Sequence, residues 1–137
     1  MLCLVIAVAD GDTLTARCGL QKMQVRIAAI DAPERRQRFG PEARSRLTLL
    51  CWQQRAHITP LEKDKYGRTV AQVSCQGQDV ASTQLRAGLA WVYTPYAHGF
   101  EYLQPLQAQA RMEHRGLWVQ TRPQPPWSYR QRYGRGH

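Results

Sequence analysis

Lysine is scarce in this chain. Among 19 basic residues only Lys22, Lys63 and Lys65 are not arginine. No apolar run approaches the ~20 residues that a membrane-spanning helix needs, which excludes that class. Cys3, Cys18, Cys51 and Cys75 show no C-x-x-C spacing, and His57, His98, His114 and His137 are scattered. A zinc site is therefore not expected. There is no internal repeat. Met1 to Ala9 is apolar but lacks the basic start and cleavage site of a signal peptide, so it is read as a strand. On that reading an exported form would already have lost its signal.

What is present bounds the class. The chain has 137 residues, with 43% hydrophobic residues, enough for one core. Its formal net charge of +9 attracts polyanions, nucleic acid first. Arginine's planar fork pairs with phosphate oxygens better than lysine's point charge does. Four dispersed cysteines suggest disulfides and an oxidising compartment, periplasmic or secreted. The alternative is four reduced, buried thiols in a cytoplasmic protein. Cys3 and Cys18 are equidistant from Asp10-Gly11, so a hairpin there would set them opposite each other and leave Cys51 for Cys75. Sequence alone does not fix that connectivity.

The chain opens as a three-stranded meander: Leu2–Val8, Thr13–Cys18 and Met23–Ile30, with turns at Asp10-Gly11 and Gly19. Asp12 then starts the second strand and Asp31 ends the third. Gly40-Pro41-Glu42 begins a helix, and Ala43, Leu47, Leu50 and Cys51 recur on its inner face. Ala56–Thr59 is a strand stopped by Pro60, Leu61–Gly67 a charged turn, and Thr69–Cys75 an alternating strand. Asp79 caps a helix over Val80–Ala87, with Gly88 as its stop. A third helix runs from near Pro105 to near Arg115, after which Leu117-Trp118 packs back. The tail from Thr121 reads as extended chain around Pro123, Pro125 and Pro126. In it Trp127, Tyr129 and Tyr133 interleave with Arg130, Arg132 and Arg135. It is either a nucleic-acid arm or a tail with Trp127 docked and the rest disordered.

Three pieces carry chemistry: Asp10-Gly11-Asp12-Thr13, then Arg26 through Asp31-Ala32-Pro33-Glu34, then Asp64-Lys65-Tyr66-Gly67-Arg68. They supply acids for a hard cation, one acid to take a proton, and two arginines for a phosphate. An arginine among Val25, Ile27 and Ala28 needs a partner or ligand if it is buried. Taken alone, D-G-D-T reads as turn chemistry, Glu34 as an exposed loop glutamate, and Trp91 and Tyr93 as core.

In this order the three pieces resemble the staphylococcal nuclease (thermonuclease) family, over about Val5 to Trp118. The resemblance implies an α+β fold, a five-stranded OB-type barrel with three helices. Residues 1–118 would form the nuclease domain and 119–137 a Pro/Arg/aromatic tail. It implies one Ca²⁺ per chain on Asp12, Asp31 and the backbone carbonyl of Ala32, where the family usually has threonine. It makes Glu34 the general base and Arg26 and Arg68 the phosphate-binding catalytic arginines. Lys65, Tyr66, Trp91 and Tyr93 fall at substrate-binding positions. The loop from Glu34 to Phe39 is shorter than in the best-known member, and its Arg35 and Arg36 could bind flanking phosphates. The implied protein is a calcium-dependent, sugar-nonspecific nuclease for DNA and RNA, favouring single strands and leaving 3′-phosphates. It is expected as a monomer with no obligate protein partner and no membrane. Two rivals remain: an OB-fold binder of single strands that does not cut, and a DNA-transfer accessory protein that works through its basic tail. Against the binder stand three carboxylates that would repel a polyanion unless they served chemistry.

Overall fold

The computed structural model describes residues 1–96 and 98–134; Arg135, the last arginine of the tail pattern, lies outside them. In chain order the strands and α-helices are β1 (Leu2–Asp10), β2 (Thr13–Cys18), β3 (Gln21–Ile27), β4 (Ile30–Asp31), α1 (Gly40–Cys51), β5 (Arg55–Lys63), β6 (Thr69–Cys75), β7 (Gln78–Asp79), α2 (Val80–Arg86), β8 (Trp91–Val92), α3 (Gln104–Met112) and α4 (Pro126–Tyr133). The main sheet runs β3-β2-β1-β5-β6-β7, and β3 also pairs with β6 in parallel. That pairing closes the five long strands into the expected barrel. Among the described residues there are four α-helices, one more than expected. The addition is α4, in the tail.

The turn after β1 is Gly11-Asp12, not Asp10-Gly11, so Asp12 sits in the turn itself. Pairing of β1 with β2 begins at Asp10 opposite Thr13, then shifts between Val8 and Asp10 and again between Val5 and Ala7. Each shift bends β1. Buried residues Cys3 and Val5 give way to Val8 across the second shift. Together the shifts restore the register that faces Leu4 with Arg17. Cys3 and Cys18 therefore meet in a disulfide, with Cα atoms 4.6 Å apart. The second disulfide, Cys51–Cys75, ties the end of α1 to the end of β6.

Two strand expectations need correction. Met23 to Ile30 is not one strand. β3 stops at Ile27, and Ala29 takes a positive φ of 69°. A left-handed alanine is unfavourable by roughly 1–2 kcal/mol, so the surroundings must impose it. They do so through Ala28, whose amide donates to the Ala71 carbonyl, and through the Ala29 carbonyl, which accepts from the Tyr93 amide. The chain then turns, and Ile30 and Asp31 pair with Val92 and Trp91. Asp31 thus belongs to a separate two-stranded sheet. Pro60 does not end its strand either; β5 continues to Lys63 across a register shift between Pro60 and Glu62. A bulge is where a strand tolerates a residue with no N–H to give.

The helices follow their local signals. Pro41 opens α1, whose Ala43, Leu47, Leu50 and Cys51 are buried as expected. Asp79 accepts from the Ser82 amide at 3.1 Å and caps α2. Pro105 falls in the first turn of α3, where its missing N–H is harmless. Ala110, Leu117 and Trp118 form a small second core against Phe39 and Trp91. The tail is extended at Pro125, as expected, but not beyond it: α4 starts at Pro126, with Trp127 docked as one reading of the tail had it. Trp127 lies 5.7 Å from Trp91 and 5.8 Å from Tyr93, centroid to centroid.

Candidate active site

The open end of the barrel holds a cavity of about 520 Å³. Asp12, Arg26, Asp31, Glu34, Lys65, Tyr66, Arg68 and Tyr93 line it, as do two residues not singled out from the sequence, Asp10 and Arg130. Ala32, Arg35, Arg36 and Trp91 do not line it. Ala32 is buried just behind it, and Arg35 and Arg36 project into solvent on the neighbouring loop. Trp91 packs tilted against Trp118, centroids 4.5 Å apart, and meets Trp127 edge-on at 5.7 Å.

The turn places Asp12 by close packing. A Cβ on Gly11 would lie 2.5 Å from that of Ala43 and 2.9 Å from that of Ala32, so only glycine lets α1 approach. Asp12 is 5% exposed and almost wholly engaged. Its Oδ2 accepts from the Ala32 amide at 2.7 Å, and its Oδ1 from the Thr13 hydroxyl at 3.1 Å. Arg26 answers the demand for a partner. Nη1 is 3.4 Å from Asp12 and Nη2 is 3.5 Å from Asp31, while Nη1 also donates to the Ile27 carbonyl at 2.7 Å. Its position on β3, opposite Thr13 on β2, aims it at both acids.

Burial is the largest single influence on each of these acids, but it does not prevail at all of them. The Asp10 carboxyl is pushed up to about 8, first by burial and then by the adjacent Asp12 charge. Burial also lifts Asp12, but Arg26 and the hydrogen bonds outweigh it and hold Asp12 below the usual range. Burial raises Asp31 against the pull of its arginines. Burial would weaken the Arg26 proton, yet Asp12 and Asp31 hold it more firmly than usual.

Glu34 is 8% exposed, not an open loop residue. Its amide donates to the Gln37 side chain at 3.0 Å, and its carbonyl accepts from the Gln37 amide at 2.9 Å. A Cβ on Gly40 would collide with the Glu34 carbonyl, so that glycine is what allows the loop to close. Arg68 is held by Asp64, whose Oδ2 accepts from Nε at 2.8 Å. Asp64 Oδ1 also caps the turn, accepting from the amides of Tyr66 and Arg68 at 2.9 Å each. The Arg68 guanidinium lies 5.4 Å over the Tyr66 ring.

Arg130 comes from α4 and meets both loop acids. Nη1 is 3.0 Å from Asp31 Oδ1 and 2.8 Å from Glu34 Oε1, and Nη2 is 2.6 Å from Asp31 Oδ2. The tail is fastened further by Gln37 Nε2, which donates to the Gln124 carbonyl at 2.7 Å.

Among the described residues, no three His, Cys, Asp or Glu side chains are arranged to hold a metal ion. A cation here would draw on the Asp12 and Asp31 carboxylates, a backbone carbonyl and water. That oxygen donor set fits a hard divalent ion. Asp10, Asp12, Asp31 and Glu34 share one cavity, and of its arginines Arg26 and Arg130 are paired with these acids.

Two residues escaped the sequence reading. Asp10 ends β1 and its Oδ1 accepts from the Asp12 amide at 3.1 Å, a link hidden by reading the residue as turn chemistry alone. Arg130 was hidden because Pro125-Pro126 was taken as extended chain, whereas proline at a first helical position opens a helix.

Residues 24–120 match the model of the staphylococcal nuclease homologue family. The chain is 38% identical, over 93% of its length and 72% of the relative's, to an uncharacterized endonuclease of Haemophilus influenzae. It is 36% identical to an uncharacterized endonuclease of Escherichia coli, over 93% of its own length and 84% of that protein's. It is 35% identical to a micrococcal nuclease of Shigella flexneri, covering 92% and 78%. These matches place the chain among phosphodiester-hydrolysing nucleases. It belongs to the staphylococcal nuclease homologue family.

Proposed function

We propose that the protein is a calcium-dependent, sugar-nonspecific nuclease of DNA and RNA that prefers single-stranded regions and leaves 3′-phosphate ends. The observation that carries this reading is the convergence of Asp12, Asp31, Glu34, Arg26 and Arg68 on one cavity.

Asp12 and Asp31, with the Ala32 carbonyl, would hold the calcium ion. Bound there, the ion supplies charge that polarises a phosphate oxygen. Glu34 takes the proton from a water whose oxygen attacks phosphorus. The bond from phosphorus to the 5′-oxygen breaks, that oxygen takes a proton from solvent and leaves as the 5′-hydroxyl, and the phosphate stays on the 3′ side. Arg26 and Arg68 bind the equatorial oxygens, where charge grows. Both are already fixed by carboxylates, so little reorganisation is needed as that charge appears.

Lys65, Tyr66 and Tyr93 stand at the cavity wall. Tyrosine faces stack on any base, which supports low sequence preference and a preference for unpaired strands. Arg35 and Arg36 would meet phosphates beyond the cavity. Trp91 serves behind the wall, through Trp127 and Trp118. The two disulfides support an oxidising compartment, periplasmic or extracellular. No helix among the described residues is long and apolar enough to cross a membrane. The protein is taken to act as a monomer.

The reading is tested by digesting end-labelled single-stranded DNA and RNA with calcium or with chelator, then treating the products with a 3′-phosphatase. Calcium-dependent cleavage of both polymers, with ends that the phosphatase shifts, is expected. Undiminished cleavage in chelator, or 3′-hydroxyl ends, would overturn it.

A further inference from the structure

Arg130 and Asp31 lie 99 positions apart, yet the guanidinium takes both carboxylate oxygens of Asp31 and one of Glu34. On the roles proposed above, one arginine thus engages a cation ligand and the general base together. A carboxylate that accepts a 2.8 Å hydrogen bond from a guanidinium is a poor acceptor for a water proton. A divalent ion on Asp31 would have to share both oxygens with the guanidinium, and two cations held that close repel each other. The described arrangement therefore disfavours both cation binding at Asp31 and proton uptake at Glu34 Oε1.

The attachment of α4 allows Arg130 to depart. Gln131 to Gly134 are exposed. The helix is joined to the barrel by a segment containing Pro123 and Pro125, and both disulfides lie elsewhere. Among its other holds are the burial of Pro126, the Trp127 contacts and the hydrogen bond from Gln37 to the Gln124 carbonyl. α4 contributes no strand to the barrel sheet, so Arg130 can withdraw by a shift of α4 without unfolding the barrel.

We propose that α4 is a latch: Arg130 occupies the cation subsite from within the same chain, and a divalent cation competes with it for Asp31. The proposal rests on the assignment of the cation to Asp12 and Asp31. Cation binding and the latched tail oppose each other, so each weakens the other by the same factor. Once displaced, the Arg130 guanidinium stands beside the cavity and is free for a phosphate of the incoming strand. Cation and nucleic acid thus open the latch together.

The test uses calcium alone, without substrate, on the full chain. Calorimetric titration compares wild type, Arg130→Gln and Arg132→Gln. The last removes the same charge from an exposed site on the same helix. Arg130→Gln is expected to bind calcium about tenfold more tightly than wild type, since the competing state is removed. Arg132→Gln should stay within about twofold, as a distant exposed charge does. In wild type, calcium should also speed trypsin cleavage after Arg130 and Arg132, a reading that needs no variant to fold. Equal affinities in wild type and Arg130→Gln, weaker binding in Arg130→Gln, or protection of α4 by calcium would overturn the latch and leave the cation assignment standing. If neither protein binds calcium, both the latch and that assignment fall.

Discussion

The Gln84 side-chain amide donates to the Gly11 carbonyl at 2.8 Å, joining α2 to the turn that carries Asp12. The same nitrogen reaches the Ala43 carbonyl in α1 at 2.9 Å. Gln84 is 1% exposed, so these bonds are made out of water's reach. They hold the acidic turn and α1 in one frame, from a residue that touches nothing in the cavity.

Replacing Gln84 by Leu should strand two buried carbonyls. The loss should be about 1–3 kcal/mol for a buried group left unsatisfied, visible in urea denaturation. Calcium affinity should fall with it, because the turn that presents Asp12 loses its anchor. A variant as stable as wild type would show that the two carbonyls find other partners.

Reduction of the disulfides should destabilise the barrel without dismantling the site's chemistry. Cys3 and Cys18 are separated by 15 positions. Closing a loop of that size constrains the unfolded chain by about 3 kcal/mol in the chain-entropy account. Replacing both cysteines by serine should lower the urea midpoint accordingly. An unchanged midpoint would show that the pair contributes nothing measurable to stability.

Asp64 gives a pH signature. Burial lifts its carboxyl, but the Arg68 amide and guanidinium and the Tyr66 amide outweigh that and hold it below its ordinary value. A depressed folded value means the contribution is complete above the unfolded value of about 3.9. It is lost as pH falls through the folded one. The melting temperature of Asp64→Asn should therefore trail wild type at pH 6 and converge with it as the medium is acidified below about 3.9. A gap that persists unchanged in acid would mean the Asp64 charge is not its source.

Much of the frame was legible locally. The Thr69–Cys75 strand, the Asp79 cap and the inner face of α1 each rest on signals within a few residues, and the structure carries them where the sequence puts them. The candidate site residues from Asp12 to Arg68 were named through the family's motif, and the fold brings most of them to one cavity. The errors lie where distant contacts decide. Ala29 turns left-handed because Ala71 and Tyr93 hold its neighbourhood, and nothing near alanine in the sequence announces it. Pro60 sits inside β5 because a bulge receives it. Arg130 reaches Asp31 across almost the whole chain, a contact no local period encodes.

The most direct test of the central claim is the Glu34→Gln variant, assayed on labelled single-stranded DNA at saturating calcium, with DNA binding measured on the same preparation. Glutamine keeps the shape and cannot take a proton. If Glu34 is the base, cleavage should fall by at least ~10²-fold, while binding stays close to wild type. Cleavage within a few-fold of wild type, with binding intact, would remove Glu34 from the chemistry and contradict the account.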